Sequence, residues 1–270
     1  MAGPERVRKP IASNLQSTIR DLQRRKARGR RGLALIEGVR LVEEALAAGL
    51  TFRGALVAPD LARTTRGREL VVELERHAVS VEEGSARALA QVADTEAPQG
   101  IVAVVEPRIW VPGDILLGGE HTAALVIDGV QDPGNVGTLI RTAHALGAAG
   151  TIVLRGTADT LNPKALRAAM GATFRHPVVP FDDAAFIAWA RQHDVTLWAT
   201  AADGEPLPRA VRAGGSGPIA VIVGNEGAGI RPQLNAVSAK RVAIPLAQGA
   251  ESLNVAVAAG ILLFEVTRGR

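Results

Sequence analysis

The chain has 270 residues, 47% hydrophobic and 21% charged, with no apolar run near the ~20 residues of a membrane span; this points to a buried core in a soluble, cytoplasmic protein and excludes a wholly disordered or membrane-spanning one. Cysteine and tyrosine are both absent, which excludes disulfides, thiolate metal sites and a cysteine nucleophile and leaves little aromatic surface for stacking single-stranded bases. The net charge of +4 is uneven: residues 1–40 hold eleven Lys and Arg against three acidic residues, a balance of +8, and the other 230 residues sum to −4.

Ile11, Leu15, Ile19 and Leu22 recur at helical spacing, so Ser13–Arg28 reads as an amphipathic helix with a polar face mostly of arginine and lysine. Arg20, Arg24, Arg25, Lys26, Arg28, Arg30 and Arg31 form the basic cluster that a polyanion such as RNA would select; the competing reading is a solvated, frayed terminus. Strand, helix, strand, helix, strand, helix and strand are then expected at Leu33–Ile36, Val39–Ala48, Gly54–Val57, Arg68–His77, Val79–Val81, Ala86–Val92 and Ile101–Val105. These make an α/β unit over residues 1–106. The Pro- and Gly-rich stretch 107–120 reads as a linker, and 121–270 as a second domain.

In that second domain, apolar strands are expected at Ala123–Ile127, Thr151–Leu154, Pro177–Val179, Thr196–Ala199, Ile219–Val223 and Arg241–Ile244. Helices are expected at Val136–Leu146, Pro163–Phe174, Asp183–Gln192, Pro232–Ser238 and Leu253–Thr267. Uninterrupted apolar strands alternating with helices predict a parallel sheet covered on both faces. Ligands of such sheets bind beyond the carboxyl ends of the strands, so the strand-to-helix loops carry the argument.

Three loops stand out. The first runs Gly129-Val-Gln-Asp-Pro-Gly-Asn-Val-Gly137 into a helix bearing Arg141, and Asn135 sits where a helix N-cap would. The second, Gly224-Asn-Glu-Gly-Ala-Gly229, places glycine at the very end of an apolar strand and Glu226 between glycines, where it also reads as a plain turn carboxylate. The third joins Ile244-Pro245 to Ser252-Leu-Asn-Val255. Ser252 is a natural cap for the last helix, and Asn254, next to the apolar run Val255–Phe264, is expected near the core and in need of partners. No G-x-G-x-x-G fingerprint or Walker lysine accompanies them, which argues against a nicotinamide or P-loop enzyme.

Taken in order, Asn135-x-Gly137-x-x-x-Arg141, Gly224-Asn-Glu-Gly227, and Ile244-Pro245 followed by Ser252-Leu-Asn-Val255 resemble the three motifs of the SpoU/TrmH family of S-adenosylmethionine-dependent RNA 2′-O-ribose methyltransferases, the trefoil-knotted SPOUT class. Leu35–Ala45 is similar to part of the RNA-binding domain fused in front of such enzymes and related to kink-turn-binding ribosomal proteins.

The resemblance implies a cofactor held by backbone groups around Thr200, Gly224, Ile244 and Leu253. It implies a catalytic set of Arg141, Asn135, Glu226, Ser252 and Asn254, no metal, and a homodimer formed through the knotted domain. An arginine is a poor base, so Arg141 is expected to act electrostatically, on a phosphate and the developing alkoxide. Structured RNA is the implied substrate, 23S ribosomal RNA ahead of tRNA. A non-catalytic RNA-binding assembly factor of the same fold is the alternative, though pure binding would not require the five-residue set.

Overall fold

The computed structural model describes residues 15–85, 89, 100–118, 122–212 and 217–268. The chain divides into two compact units, Met1–Arg108 with Leu161–Pro163, and Ile109–Thr160 with Lys164–Arg270. Among the described residues no helix is long and apolar enough to cross a membrane.

In the first unit, α1 (Leu15–Leu22) buries Leu15, Thr18, Ile19 and Leu22, one face of the helix. The single basic helix expected over Ser13–Arg28 breaks: the chain turns at Gln23–Arg24 and restarts as α2 (Arg25–Arg31). Arg28 holds that break. It is buried, and its Nη1 donates to the carbonyls of Leu22 and Gln23, both at 2.8 Å, satisfying acceptors that a helix end leaves orphaned.

Then come β1 (Ala34–Glu37), α3 (Val39–Ala47), β2 (Thr51–Val57), α4 (Thr65–Arg76), β3 (Val81–Glu83) and β4 (Ile101–Glu106). The sheet order is β1-β4-β2-β3, with β4 antiparallel to both its neighbours and β3 parallel to β2. Leu15, Ile19 and Leu22 pack with Leu35, Leu56, Val102 and Val104, so α1 is docked on the sheet. Each such fully buried aliphatic side chain contributes roughly 1.5–3 kcal/mol, which anchors the basic segment to a folded core. Ile11, and the helix expected at 86–92 apart from the buried Leu89, lie outside the described residues.

The second unit begins before its first strand. Pro112–Asp114 form a short turn closed by Asp114 accepting from the Val111 N–H at 2.8 Å, and Ile115 is buried in this unit's core. Residues 109–118 of the expected linker therefore belong to the second unit. Its elements are β5 (Ala123–Asp128), α5 (Pro133–Ala145), β6 (Thr151–Val153), α6 (Pro163–Ala169), α7 (Ala172–Arg175), β7 (Val178–Pro180), α8 (Asp183–Gln192), β8 (Thr196–Pro206), α9 (Leu207–Arg212), β9 (Ile219–Gly224), α10 (Pro232–Val237), β10 (Lys240–Ala243) and α11 (Val255–Arg268). The helix expected over Pro163–Phe174 is two helices, because Met170 and Gly171 both take positive φ, 49° and 85°.

All six strands are parallel, in the order β10-β8-β9-β5-β6-β7. The central strands alternate between two cores. Leu125, Ile127, Val221 and Val223 face a cluster with Leu139 of α5 and Leu262 of α11. Val126, Ala220 and Ile222 face Phe186 of α8 and Leu234 of α10. Helices thus cover both faces, as the apolar runs predict. After edge strand β10 the chain returns to the middle of the sheet, where α11 packs on α5, β9 and β5. This brings the third loop beside the first two.

Candidate functional site

A cavity of about 660 Å3 opens at the carboxyl ends of β8, β9 and β10, within the ~300–1,000 Å3 of small-molecule sites. Thr200, Gly224, Ile244 and Leu253 all line it, as do Glu226, Ser252 and Asn254. Its apolar wall comes from Val223, Leu246, Val255 and Leu262. Residues 244–254 are irregular and lie outside the ladders of the sheet, and Ile244, Leu246 and Glu251 to Asn254 line the same cleft. Strand β8 contributes through an excursion: its pairing with β10 jumps from Ala199 to Glu205, and Thr200 to Ala202 are freed to line the cavity.

Asn135 joins the loops. Its Nδ2 donates to Glu226 Oε1 and its Oδ1 accepts from Asn254 Nδ2 at 3.1 Å, linking residues 91 and 119 positions apart in sequence. Asn135 is free to do so because it is not the cap of α5: Asp132 is, its Oδ1 accepting the Asn135 N–H at 2.8 Å, with Pro133 in the first turn. Lys164 Nζ donates to the other oxygen of Asp132 at 2.7 Å; that bond, seconded by the Asn135 N–H, holds the Asp132 carboxyl below its usual range.

The third loop corrects an expectation in a similar way. Ser252 does not cap the last helix; Asn254 does, its Oδ1 accepting from the N–H groups of Ala256 at 2.9 Å and Val257 at 3.4 Å. Asn254 is exposed rather than set against the core, yet its amide has partners on both sides.

Two glycines of the motifs have packing reasons. A Cβ on Gly224 would stand 2.4 Å from the backbone carbon of Gly229, so this glycine lets its loop close on itself. A Cβ on Gly137 would lie 2.1 Å from the Ala165 carbonyl, so this glycine seats α5 against α6.

Arg141 stands apart from the triad. It is exposed on α5, six residues and about 9 Å of helix rise beyond Asn135, and it does not line the cavity. In the first unit, Arg20, Arg24, Arg25, Lys26, Arg30 and Arg31 are exposed. Arg30 and Arg31 share Asp21, at 3.0 and 2.8 Å, and lower its pKa, Arg31 foremost. Arg28 leaves the RNA-binding set because burial and its two carbonyl bonds make it part of the helix junction.

Sequence reasoning missed one set of groups near the site, Asp128, Asp183 and Arg231. Arg231 Nε donates to Asp128 Oδ1 at 2.6 Å, and Nη1 and Nη2 reach Asp183 at 2.7 and 2.8 Å. Burial alone would lower the Arg231 pKa, but the bonds to Asp183 and Asp128 prevail and raise it. The aspartate at the end of β5 was the one available signal, since a carboxylate closing an apolar strand needs a cation.

A parallel sheet with an apolar, loop-built cavity at its carboxyl edge and a polar triad on the rim defines a small-molecule-dependent α/β enzyme. The chain belongs to the SpoU rRNA methylase family, whose model matches residues 122–264, and a model of the MRM3-like substrate binding domain matches residues 17–103. It is 36% identical over 262 residues to the Bacillus subtilis 23S rRNA (guanosine(2553)-2′-O)-methyltransferase RlmP, covering 96% of this chain and 99% of that one. It is 34% identical over 205 residues to the 23S rRNA (guanosine-2′-O-)-methyltransferase RlmB of Photobacterium profundum, covering 74% and 83%. Two solved structures are similar. The AdoMet-bound rRNA methyltransferase of Sinorhizobium meliloti matches with TM-score 0.80 and 30% identity over 96% of this chain and 95% of that one. AviRb of Streptomyces viridochromogenes in complex with AdoMet matches with TM-score 0.81 and 29% identity over 95% and 97%.

Proposed function

We propose that the protein methylates a ribose 2′-hydroxyl of 23S ribosomal RNA using S-adenosylmethionine. The observation that carries this reading is the meeting of three loops at one cavity, with Asn135, Glu226 and Asn254 hydrogen-bonded in series on its rim. The relatives named for 23S rRNA guanosine 2′-O-methylation support the RNA, and the two AdoMet-bound structures support the cofactor.

The residues present fit that cofactor. Ile244, Leu246 and Leu253 offer an apolar slot for an adenine, with irregular backbone beside it for the ring edge, and Thr200 and Gly224 line the same cavity. The cavity's charged lining consists of the carboxylates of Glu226 and Glu251, which suits a cationic ligand. When bound, S-adenosylmethionine supplies an electrophilic methyl group on a sulfonium.

The chain's own residues prepare the acceptor. The triad fixes the Asn135 amide, and Ser252 lines the cavity that the triad borders. Arg141 binds the phosphate beside the target ribose and stabilises the alkoxide as it forms, while another group takes the proton, since a guanidinium holds its own.

Two further features belong to the proposal. The return of α11 from edge strand β10 to the centre of the sheet supports a knotted path. Val257, Ile261 and Phe264 make an exposed apolar stripe on α11, which supports a homodimer through this domain. Completion of the site by a second copy would explain an arginine that lies outside the lining of its own cavity. The exposed bases of α1 and α2, within the region matching a substrate-binding domain, read the RNA through phosphates and shape.

The test maps 2′-O-methyl sites in ribosomal and transfer RNA from cells with and without the protein. Loss of a 23S ribose methyl is expected. Loss confined to tRNA overturns the RNA assignment, and no loss in either RNA overturns the activity.

A further inference from the structure

The loop after β9 is joined to the segment from the end of β5 to the first turn of α5 at three points, one of which involves a side chain so far given no role. Asn225 Nδ2 donates to the carbonyl of Gly129 at 3.0 Å. Asn135 donates to Glu226, and Arg231 closes the base, its backbone N–H and Nε donating to the wholly buried Asp128 carboxylate at 2.8 and 2.6 Å.

Asn225 works in two directions at once. Its Oδ1 accepts from the N–H groups of Gly227 at 2.9 Å and Ala228 at 3.0 Å, and its backbone pairs with Gly229 in both senses, so it sets the shape of the cavity loop. Its Nδ2 meanwhile grips the neighbouring loop. Gly129 is clamped from both sides, since its own N–H donates to Thr157 Oγ1 at 3.1 Å. From Gly129 the chain runs through the cap Asp132 to Asn135 and along α5 to Arg141.

We propose that Asn225 is a positioning residue that couples the cavity loop to the loop leading into Asn135 and Arg141, so that ligands on the two loops bind cooperatively. The inference rests on the reading above, in which the cavity takes the cofactor and the α5 side takes RNA. Its physical basis is shared ordering: a ligand that fixes one loop removes, through the Asn225 link, part of the entropy the second ligand would otherwise have to remove. Coupling of this kind is reciprocal, so RNA must tighten the cavity's ligand by the factor by which that ligand tightens RNA.

The test measures equilibrium dialysis of labelled S-adenosylhomocysteine against the full chain, with and without saturating unmodified 23S rRNA transcript. For the wild type, RNA is expected to tighten binding about tenfold, within the ~5–150-fold span of such couplings. Asn225→Asp keeps acceptors for Gly227 and Ala228 but has no hydrogen for Gly129, and its RNA-dependent tightening should fall to about twofold or less. The readout is the ratio with and without RNA, which a merely structural loss of affinity would not change. Should that variant fail to fold, Arg231→Lys serves instead; it gives up the fork onto Asp128 and Asp183 and is expected to lower the same ratio. A wild type without RNA dependence, or a folded variant with the wild-type ratio, overturns the coupling. A wild type that retains no S-adenosylhomocysteine in either arm overturns the functional reading beneath it.

Discussion

The helices α1 and α2 and the cavity at the end of β9 carry opposite charge. The helices expose Arg20, Arg24, Arg25, Lys26, Arg30 and Arg31, whereas the charged groups lining the cavity are Glu226 and Glu251. On the proposed function a polyanion is drawn to the first and a sulfonium to the second, which sorts the two substrates by sign before any shape is compared. The regions also differ in kind. The helices present exposed basic side chains, Arg30 and Arg31 paired with Asp21, where contacts are individually weak and salt-sensitive. The cavity is built from backbone bends fixed by side-chain bonds, where one misplaced group has a large effect.

The largest effect should fall on α5. Arg141→Ala is expected to lower methyl transfer roughly 100-fold or more, the usual cost of losing a transition-state electrostatic donor, with cofactor affinity retained; turnover assays and dialysis separate the two. Wild-type turnover would remove Arg141 from the chemistry. Next is the basic segment. Replacing Arg24, Arg25 and Lys26 with Ala should reduce the slope of log affinity against log salt by about 2–3 for RNA binding and leave S-adenosylhomocysteine binding intact; an unchanged slope would make these helices a solvated surface.

Arg28→Met sharpens the contrast inside that segment. It should destabilise the protein by about 1–3 kcal/mol, as two helix-end carbonyls lose their donor, and leave the salt slope unaltered, as followed by denaturant unfolding and filter binding. The smallest effect concerns pH. The Asp132 carboxyl is depressed chiefly by its bond to Lys164, so the folded state binds that proton more weakly than the unfolded state. Its stabilisation is full above the ordinary carboxylate pKa of about 3.9 and is lost as pH falls through the lower folded value. Lys164→Met should move that loss upward in pH by an amount worth under about 1 kcal/mol, because the pair is exposed and screened; melting temperatures between about pH 2 and pH 5 would show it.

Much of the second unit was legible because the central strands β5 and β9 are apolar on both faces and the motif-bearing loops follow the ends of strands. Thr200, Gly224, Ile244 and Leu253 were singled out by the resemblance to the family motifs rather than by the apolar pattern, and all four line the one cavity. What escaped depended on partners distant in sequence. Nothing near Arg231 announces Asp128, 103 positions away, or Asp183, 48 away. Arg28 looked like its neighbours until the carbonyls of Leu22 and Gln23 claimed it. The exchange of roles between Ser252 and Asn254, and between Asn135 and Asp132, turns on where a helix begins within two or three residues, the level at which local preference is weakest.

The two margins of the six-stranded sheet also limit how the second unit can meet other chains. One margin is β10, four residues long and bearing Lys240 and Arg241; the other is β7, three residues long and ending in Pro180, which has no N–H to offer. Short, charged or proline-blocked margins resist the addition of a foreign strand. Continuation of this sheet into a neighbouring molecule, and the runaway polymerisation that can follow, is thus discouraged at both sides.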